Sequence, residues 1–141
     1  MPSPTDPHRD AGRRLFVAGA VLAGVGVALG AFGTHALGSR VTPDRLAIWE
    51  TAVRYHLLHA VALLALGLAR ARWEVAALSR AGALLLSGTA VFAGSLYLLV
   101  LTDTPVLGAV TPAGGVLLLA GWATAAWSLA RSGVPHVPGE S

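Results

Sequence analysis

The sequence predicts an all-α protein that folds as a four-helix transmembrane bundle with both termini in the cytoplasm (N-in/C-in). Hydrophobic residues make up 55% of the 141 positions and charged residues only 12%, against roughly 25% charged residues in soluble domains. Four apolar runs approach the about 20 residues that a helix needs to cross a bilayer. The arginines collect on one side of these runs, and this asymmetry predicts the orientation.

The first apolar run predicts a helix over about residues 15–37. The run reads LFVAGAVLAGVGVALGAFGT and is followed by His35 and a hydrophilic turn. A secretory signal has a shorter apolar region of about 7–15 residues and ends in a small-x-small cleavage site. We therefore expect this run to be retained as a membrane span.

The second helix is predicted over about residues 43–70. Thr42, Pro43 and Asp44 supply an N-cap, a proline at the first helical position and an acid in the first turn. A third helix is expected over 80–102, because AGALLLSGTAVFAGSLYLLVLT carries no charge. Both segments are long enough to cross the bilayer.

The fourth helix is predicted over about residues 112–131. Thr111 and Pro112 repeat the cap-then-proline pattern that starts the second helix. The membrane domain then covers residues 15–131. The flanking segments are rich in proline, serine and glycine, and we expect disordered tails at residues 1–14 and 132–141.

The distribution of arginine predicts which side the termini face. Seven arginines precede the first helix, lie between the second and third, or follow the fourth: Arg9, Arg13, Arg14, Arg70, Arg72, Arg80 and Arg131. The opposite loops hold only Arg40 and Arg45. By the positive-inside rule, both termini face the cytoplasm.

Composition also excludes several classes of function. The chain has no cysteine, so disulfides, thiolate chemistry, iron–sulfur clusters and cysteine zinc sites are ruled out. The arginines lie between apolar runs instead of clustering on one soluble face, so we expect no nucleic-acid partner. The lipid bilayer is the expected partner, and a homo-oligomer or another membrane-protein partner is left open.

Small residues recur at helical spacing and predict where the helices pack. In the first helix they follow spacings of four, three, four and three, at Gly19, Ala23, Gly26, Gly30 and Gly33. The third and fourth helices carry stripes of the same kind, at Ser87, Gly94, Gly114 and Gly121. Small side chains let backbones approach closely in lipid, where water exclusion does not drive association. The alternative is that these glycines line a permeation path.

A cluster of polar and ionisable residues lies in the outer half of the second helix. The stretch WETAVRYHLLHA contains Glu50, Arg54, Tyr55, His56 and His59. His35, in the last turn of the first helix, emerges on the same side. An ionisable residue inside a membrane span costs about 2.5–3.5 kcal/mol even on insertion scales, so this cluster is a candidate functional site.

Helical geometry divides the second-helix residues of this cluster between two edges. At about 100° per residue, Glu50 and Arg54 are about 40° apart, in the order that favours an ion pair. Tyr55, His56 and His59 fall on the other side of the helix. We expect a helix-local salt bridge on the first edge. On the second edge we expect hydrogen bonds between helices, worth about 0.6 kcal/mol each.

More specific functions are alternatives for the same residues. His35, His56 and His59 could bind a transition metal, and Glu50 could be a fourth ligand, although it lies on the opposite edge from His59. A bis-histidine haem would need His35 paired with His56 or His59. The same end of the protein could instead hold a pocket for protons or a small ligand. We predict no metal and no cofactor.

Four stretches together resemble one known family: GAFGTHAL (30–37), WETAVRYHLLHAVALL (49–64), GTAVFAGSLYLLVLT (88–102) and GAVTPAGGVLLLAGW (108–122). The chain is similar over about residues 15–130 to domain-of-unknown-function family 423, the YgdD family, which includes transmembrane protein 256 of animals. The resemblance implies a small four-helix integral protein of the bacterial inner membrane, without an established activity. His35 falls in the family's GAFG-x-HAL motif and His59 in its Y-x-x-x-H motif.

The function that these observations predict is that of a non-enzymatic or accessory membrane protein. Its polar patch, centred on His35, Tyr55 and His59, would form a pocket or a helix–helix lock near the outer face. One alternative is a small proton-coupled transporter or carrier that uses Glu50, Arg54 and His59. Another is a redox subunit that binds haem or quinone.

Overall fold

The computed structural model describes residues 7–73 and 75–132. It contains four long helices: α1 (Pro7–Phe32), α2 (Pro43–Arg72), α3 (Ala77–Thr102) and α4 (Thr111–Arg131). A π-helical turn continues α1 and a 3-10 turn precedes α4, at Gly33–Leu37 and Pro105–Ala109. All four helices are long and apolar enough to cross a membrane, and no strand occurs among the described residues. The predicted all-α fold with four spans is confirmed.

The first helix begins at Pro7, earlier than predicted, so residues 7–14 are helical instead of belonging to a disordered tail. Proline suits the first turn of a helix, and Asp10 places an acid near the positive end of the helix dipole. Asp10 also pairs with Arg13, 3.5 Å away between carboxylate and guanidinium. The remainder of the predicted tails lies outside the described residues, at 1–6 and 133–141.

The helices pack in the order of the chain, as two antiparallel hairpins, α1–α2 and α3–α4, joined through α2 and α3. α1 also approaches α3 where Leu15 meets Gly82. Within the described ranges, the backbones of α1 and α4 do not approach each other closely. Their outer faces are apolar and exposed, as at Val21 and Val116. The central pair of helices therefore holds most of the buried residues.

The buried apolar residues form two clusters, one towards each end of the bundle. The end where α1 begins and α2 ends is called the arginine-rich end below. The cluster nearer to it contains Ala62, Leu63, Leu66, Leu78, Ala81, Leu85, Leu118 and Ala125. The cluster at the opposite end contains Leu37, Trp49, Leu99 and Val100.

α1 meets α2 through glycines that bring the two backbones into contact. A Cβ added at Gly19 would lie 2.8 Å from the Ala60 carbonyl oxygen, and one added at Gly12 would lie 2.7 Å from the Gly67 carbonyl oxygen. Further along α1, three more glycines face side chains of α2: Gly26, Gly30 and Gly33. The fifth residue of the predicted stripe, Ala23, is half-buried. Only residues without a side chain allow this approach.

α3 and α4 pack with a glycine on one helix opposite a large side chain on the other. The facing pairs are Leu85 with Gly121, Gly88 with Leu118, and Phe92 with Gly114. At the end of the same stripe, the hydroxyls of Ser95 and Thr111 form a hydrogen bond of 2.8 Å. This alternation fills the space between the helices without separating them.

Two residues predicted for this contact, Ser87 and Gly94, lie outside it. The exposed Ser87 hydroxyl donates to the Ala83 carbonyl of its own helix at 2.9 Å, and a Cβ added at Gly94 would meet no atom within 4 Å. The contact stripe instead runs one position further along the helix, through Gly88 and Ser95. α3 carries small residues on several faces, so the large side chains of α4 determine which face is buried.

An arginine of α2 caps the end of α3. The helix ends at Thr102, and its C-cap residue, Asp103, has a left-handed φ of 53°. Arg45 donates to the Leu99 carbonyl oxygen at 3.0 Å and forms an ion pair with Asp103. A guanidinium at a helix C-terminus also interacts favourably with the helix dipole. The contact ties the start of α2 to the end of α3.

Candidate functional site

The polar cluster of α2 is divided between an inward and an outward face. His56 and His59 are buried among the helices, whereas Glu50 and Arg54 are exposed. Tyr55 lies at the edge between them, with 39% of its surface exposed. The cluster therefore contains two sites of different character.

His59 connects α2 to α4 through a chain of hydrogen bonds. Its Nδ1 lies 2.7 Å from the Tyr55 carbonyl oxygen, and the indole Nε1 of Trp122 lies 3.2 Å from its Nε2. A carbonyl oxygen can only accept and an indole N–H can only donate. Nδ1 must therefore carry the proton while Nε2 accepts from Trp122, so the imidazole is neutral.

This contact joins two helices whose backbones do not approach each other closely. α2 and α4 are both packed against α3, and the long side chain of Trp122 covers the remaining distance to His59. Only 3% of the His59 surface is exposed, so its partners are within the bundle. We call the His59–Trp122 pair the α2–α4 link.

Tyr55 completes this part of the site through ring contacts. Its ring stacks on that of Phe92 in α3, with centroids 4.4 Å apart, and more loosely on that of His59, at 6.0 Å. Stacking of this kind fixes the orientation of the rings. Tyr55 and His59, which the sequence grouped together, are therefore neighbours.

His56 faces a different neighbour. Its Nδ1 lies 3.3 Å from the hydroxyl of Tyr97 in α3, and its buried Nε2 has no hydrogen-bond partner. The imidazole also faces α1, where a Cβ added at Gly26 would lie 3.4 Å from His56 Cδ2. His56 thus lies where α1, α2 and α3 meet.

Trp49 lies in the buried cluster at the end of the bundle opposite the arginine-rich end. It is 1% exposed, and its indole N–H donates to the Leu29 carbonyl of α1 at 2.9 Å. Its ring packs against Phe32 and Tyr97, with centroids 5.6 and 4.6 Å away. Its position opposite Gly33 shows why that residue lacks a side chain, since a Cβ there would lie 2.5 Å from the indole.

The predicted salt bridge between Glu50 and Arg54 is not formed. Neither side chain makes an ion pair or a hydrogen bond with any described residue. Both line a groove of ≈ 310 Å³ between α1 and α2, together with Thr34. Both side chains are exposed, so each can be solvated separately, and an exposed pair gains little from forming.

His35 does not join the rest of the cluster. It lies in the π-helical turn at the end of α1, is exposed, and makes no hydrogen bond or ring contact with Tyr55 or His59. Over residues 7–73 and 75–132, no group of three or more histidine, aspartate or glutamate side chains is placed to hold a metal ion.

A second buried polar contact lies at the arginine-rich end. Arg70 is 6% exposed and its Nε donates to the Ser79 hydroxyl in the first turn of α3, at 3.1 Å. Its Nη1 has no hydrogen-bond partner. The contact joins α2 to α3 across their short connection, and the sequence had indicated Arg70 only as an orientation signal.

The partners of the histidines were not predicted from the sequence. Trp122 had a usable signal: it lies in the middle of a membrane helix, too deep for an interfacial anchor, and an indole N–H surrounded by lipid needs an acceptor within the protein. Tyr97 lay in an uncharged run and showed no comparable signal. Which histidine faces which partner depends on how the helices are rotated.

Taken together, the four apolar helices and the polar contacts between them define an integral membrane protein with four spans. The chain belongs to the family described as "Protein of unknown function (DUF423)", whose pattern matches residues 29–115. That range contains His35 and all of α2 and α3, and the predicted family is confirmed.

Relatives agree with this assignment. The chain is 42% identical over 110 residues to a UPF0382 membrane protein of Staphylococcus aureus (strain bovine RF122 / ET3-1), covering 77% of this chain and 89% of that protein. It is 39% identical over 107 residues to the UPF0382 membrane protein YwdK of Bacillus subtilis (strain 168), covering 75% and 87% respectively. No solved structure matches the chain.

Proposed function

We propose that this chain is a non-enzymatic, accessory protein of the membrane, in which the inward polar residues of α2 hold helices together. The hydrogen bonding of His59 supports this proposal. Both of its ring nitrogens are engaged, one with Tyr55 and one with Trp122. Protonating Nε2 or binding a metal there would break the α2–α4 link. The buried side chains of His56 and Trp49 likewise contact neighbouring helices.

Proteoliposomes test this role against that of a proton-coupled transporter or carrier. Vesicles that contain the protein should show the same proton flux as empty vesicles under an imposed gradient of either direction. His59→Gln, which keeps a donor and an acceptor, should give the same result. A flux that the wild type supports and a folded His59→Leu variant abolishes would contradict an accessory role.

The absorption spectrum of the purified protein tests the redox alternative independently. An accessory protein without a pigment should show only the near-ultraviolet absorption band of its aromatic side chains. A Soret band that is lost in His56→Leu or His59→Leu would instead favour a haem-binding subunit.

We also propose that the protein lies in the bacterial inner membrane with both termini in the cytoplasm, which places the polar cluster near the outer face. The seven-to-two distribution of arginines supports this orientation. Because the chain has no cysteine, single cysteines can be labelled without background. Ser39→Cys should react with an impermeant maleimide in spheroplasts, and Ala76→Cys only after lysis. The reverse pattern would contradict this orientation.

The outer faces of α1 and α4 are the proposed contact surfaces for partners within the bilayer. Val21 and Val116 are both exposed there. Cysteines at these positions should give disulfide-linked dimers in membranes if the partner is a second copy, or adducts of another mass if it is a different membrane protein. If neither cysteine gave a cross-linked product, the result would count against a partner on these faces.

A further inference from the structure

A groove between α1 and α2, at the arginine-rich end, is lined by charged residues at one end and apolar residues at the other, as a phospholipid is charged at one end and apolar at the other. It has a volume of ≈ 590 Å³. Its deeper part is apolar and is lined by Phe16, Leu68 and Gly67. Since α1 and α2 touch there through their backbones at Gly12 and Gly67, few side chains fill the floor, and an extended chain can lie along it.

The outer part of the same groove is positively charged. Arg9, Arg13 and Arg72 line it, from the first turns of α1 and the last turn of α2. Among the residues that the structure describes, Asp10 lies beside them and pairs with Arg13. Arg72 forms no ion pair with any residue in the described part of the chain. The lining of the groove thus contains three arginines and no acid.

The order of these residues along the helices matches an amphiphile. From Arg9 to Phe16, α1 advances roughly 10 Å, at 1.5 Å per residue, and passes from charged to apolar lining. α2 changes in the same direction from Arg72 to Leu68. A free anion would need only the charged part, whereas a phospholipid uses both.

We propose that this arginine groove binds one anionic phospholipid, with the headgroup phosphate at Arg13 and Arg72 and an acyl chain over the apolar floor. Basic pockets between membrane helices bind anionic headgroups by charge complementarity. The proposal holds for either orientation of the chain in the membrane. It is also independent of the role of His59, which lies nearer the middle of α2 and does not line the groove.

Native mass spectrometry of the detergent-purified protein tests this binding, with dioleoyl-phosphatidylglycerol and dioleoyl-phosphatidylcholine as probes. The wild type should bind phosphatidylglycerol at least about tenfold more tightly than phosphatidylcholine. Glycerol 3-phosphate at the same concentration should not displace the bound phosphatidylglycerol. The double variant Arg13→Gln/Arg72→Gln should lose roughly thirty-fold in affinity for phosphatidylglycerol, at about 1 kcal/mol for each arginine. Unchanged circular dichroism would show that the variant is folded.

A matched control removes the same charge from the same end without touching the groove. Arg80 and Arg131 lie on α3 and α4, beside Trp127. The variant Arg80→Gln/Arg131→Gln should bind phosphatidylglycerol with an affinity within about twofold of that of the wild type. An equal loss in both double variants would overturn the proposal, since the binding would then reflect overall charge. Equal binding of phosphatidylcholine, or displacement by glycerol 3-phosphate, would overturn it as well.

Discussion

α2 contacts α1 and α4 in two different ways. Against α1 the backbones touch, because positions such as Gly19 have no side chain and a Cβ there would lie 2.8 Å from a carbonyl oxygen of α2. Against α4 the backbones remain apart, and the α2–α4 link between His59 and Trp122 bridges the gap. Both contacts are made in a region where lipid, not water, is the competing environment.

The difference between the two contacts shows which changes each one tolerates. The α1–α2 contact depends on the absence of side chains, so it should fail when a residue is enlarged. The α2–α4 link depends on one donor and one acceptor, so it should fail when either is removed. The predictions that follow use this distinction, and stability is measured by titration with sodium dodecyl sulfate in mixed micelles.

The largest effect is expected for Gly19→Leu. The new side chain would meet the backbone of α2 at Ala60 and Leu64, which cannot turn away. The free energy of unfolding should fall by about 3 kcal/mol, the upper end of the usual cost of overpacking. Near-ultraviolet circular dichroism follows the loss of packing during the titration.

The control for this prediction is Gly24→Leu on the same helix. A Cβ added at Gly24 meets no atom within 4 Å, so the leucine would point into lipid and the stability should change by less than about 0.5 kcal/mol. Equal losses for the two variants would show that the α1–α2 contact does not determine the result, since leucine is a better helix former than glycine at both positions.

The α2–α4 link should give the next largest effect, in a double-mutant cycle of His59→Leu and Trp122→Phe. Each single change should cost about 1 kcal/mol, because it leaves the other partner without its hydrogen bond. The coupling energy should be about 0.6–1.7 kcal/mol, the range of hydrogen bonds between membrane helices. A coupling energy of zero would mean that the indole N–H does not bond to the imidazole in the membrane.

A third kind of contact, the arginine cap between α2 and α3, should have a smaller effect. Arg45→Met removes the donor to the Leu99 carbonyl and the partner of Asp103. It should cost about 0.3–1 kcal/mol and speed hydrogen exchange in the last turn of α3. Arg40→Met, an exposed arginine in the preceding loop, should leave both quantities unchanged.

The smallest effect is expected on the outward face of α2. Glu50 and Arg54 form no ion pair, so a double-mutant cycle of Glu50→Gln and Arg54→Gln should give a coupling energy near zero. A formed pair at this spacing would give about 0.3–0.5 kcal/mol. Measuring the cycle at low and high salt would reveal such a pair, because salt screens it.

Most of the fold could be predicted because membrane spans are set by length and hydropathy, which are read directly from the sequence. The α1 stripe was also readable, since Gly19, Gly26 and Gly33 recur at helical spacing on a helix with one packed face. The α3 stripe was not, because Ser87 and Gly88 are both small. Only the facing residue on α4, Leu118, distinguishes them.

The site was predicted less completely, for a related reason. Spacing on α2 separated Glu50 and Arg54 from the histidines, but it says nothing about neighbouring helices. His56 and His59 therefore received no partners, although they bond to different helices. The ion-pair expectation assumed that two opposite charges at this spacing must meet, whereas exposed side chains gain little by doing so.

The packing of the helices in chain order has a consequence for how the protein is assembled. Each hairpin is made from neighbouring segments, so α1 and α2 can pair in the bilayer before α3 and α4 have been synthesised. Such local pairing requires little loop closure. A chain cut in the short connection between α2 and α3 should therefore reassemble from two separately expressed halves, with Arg70 and Arg45 rejoining them at the two membrane surfaces.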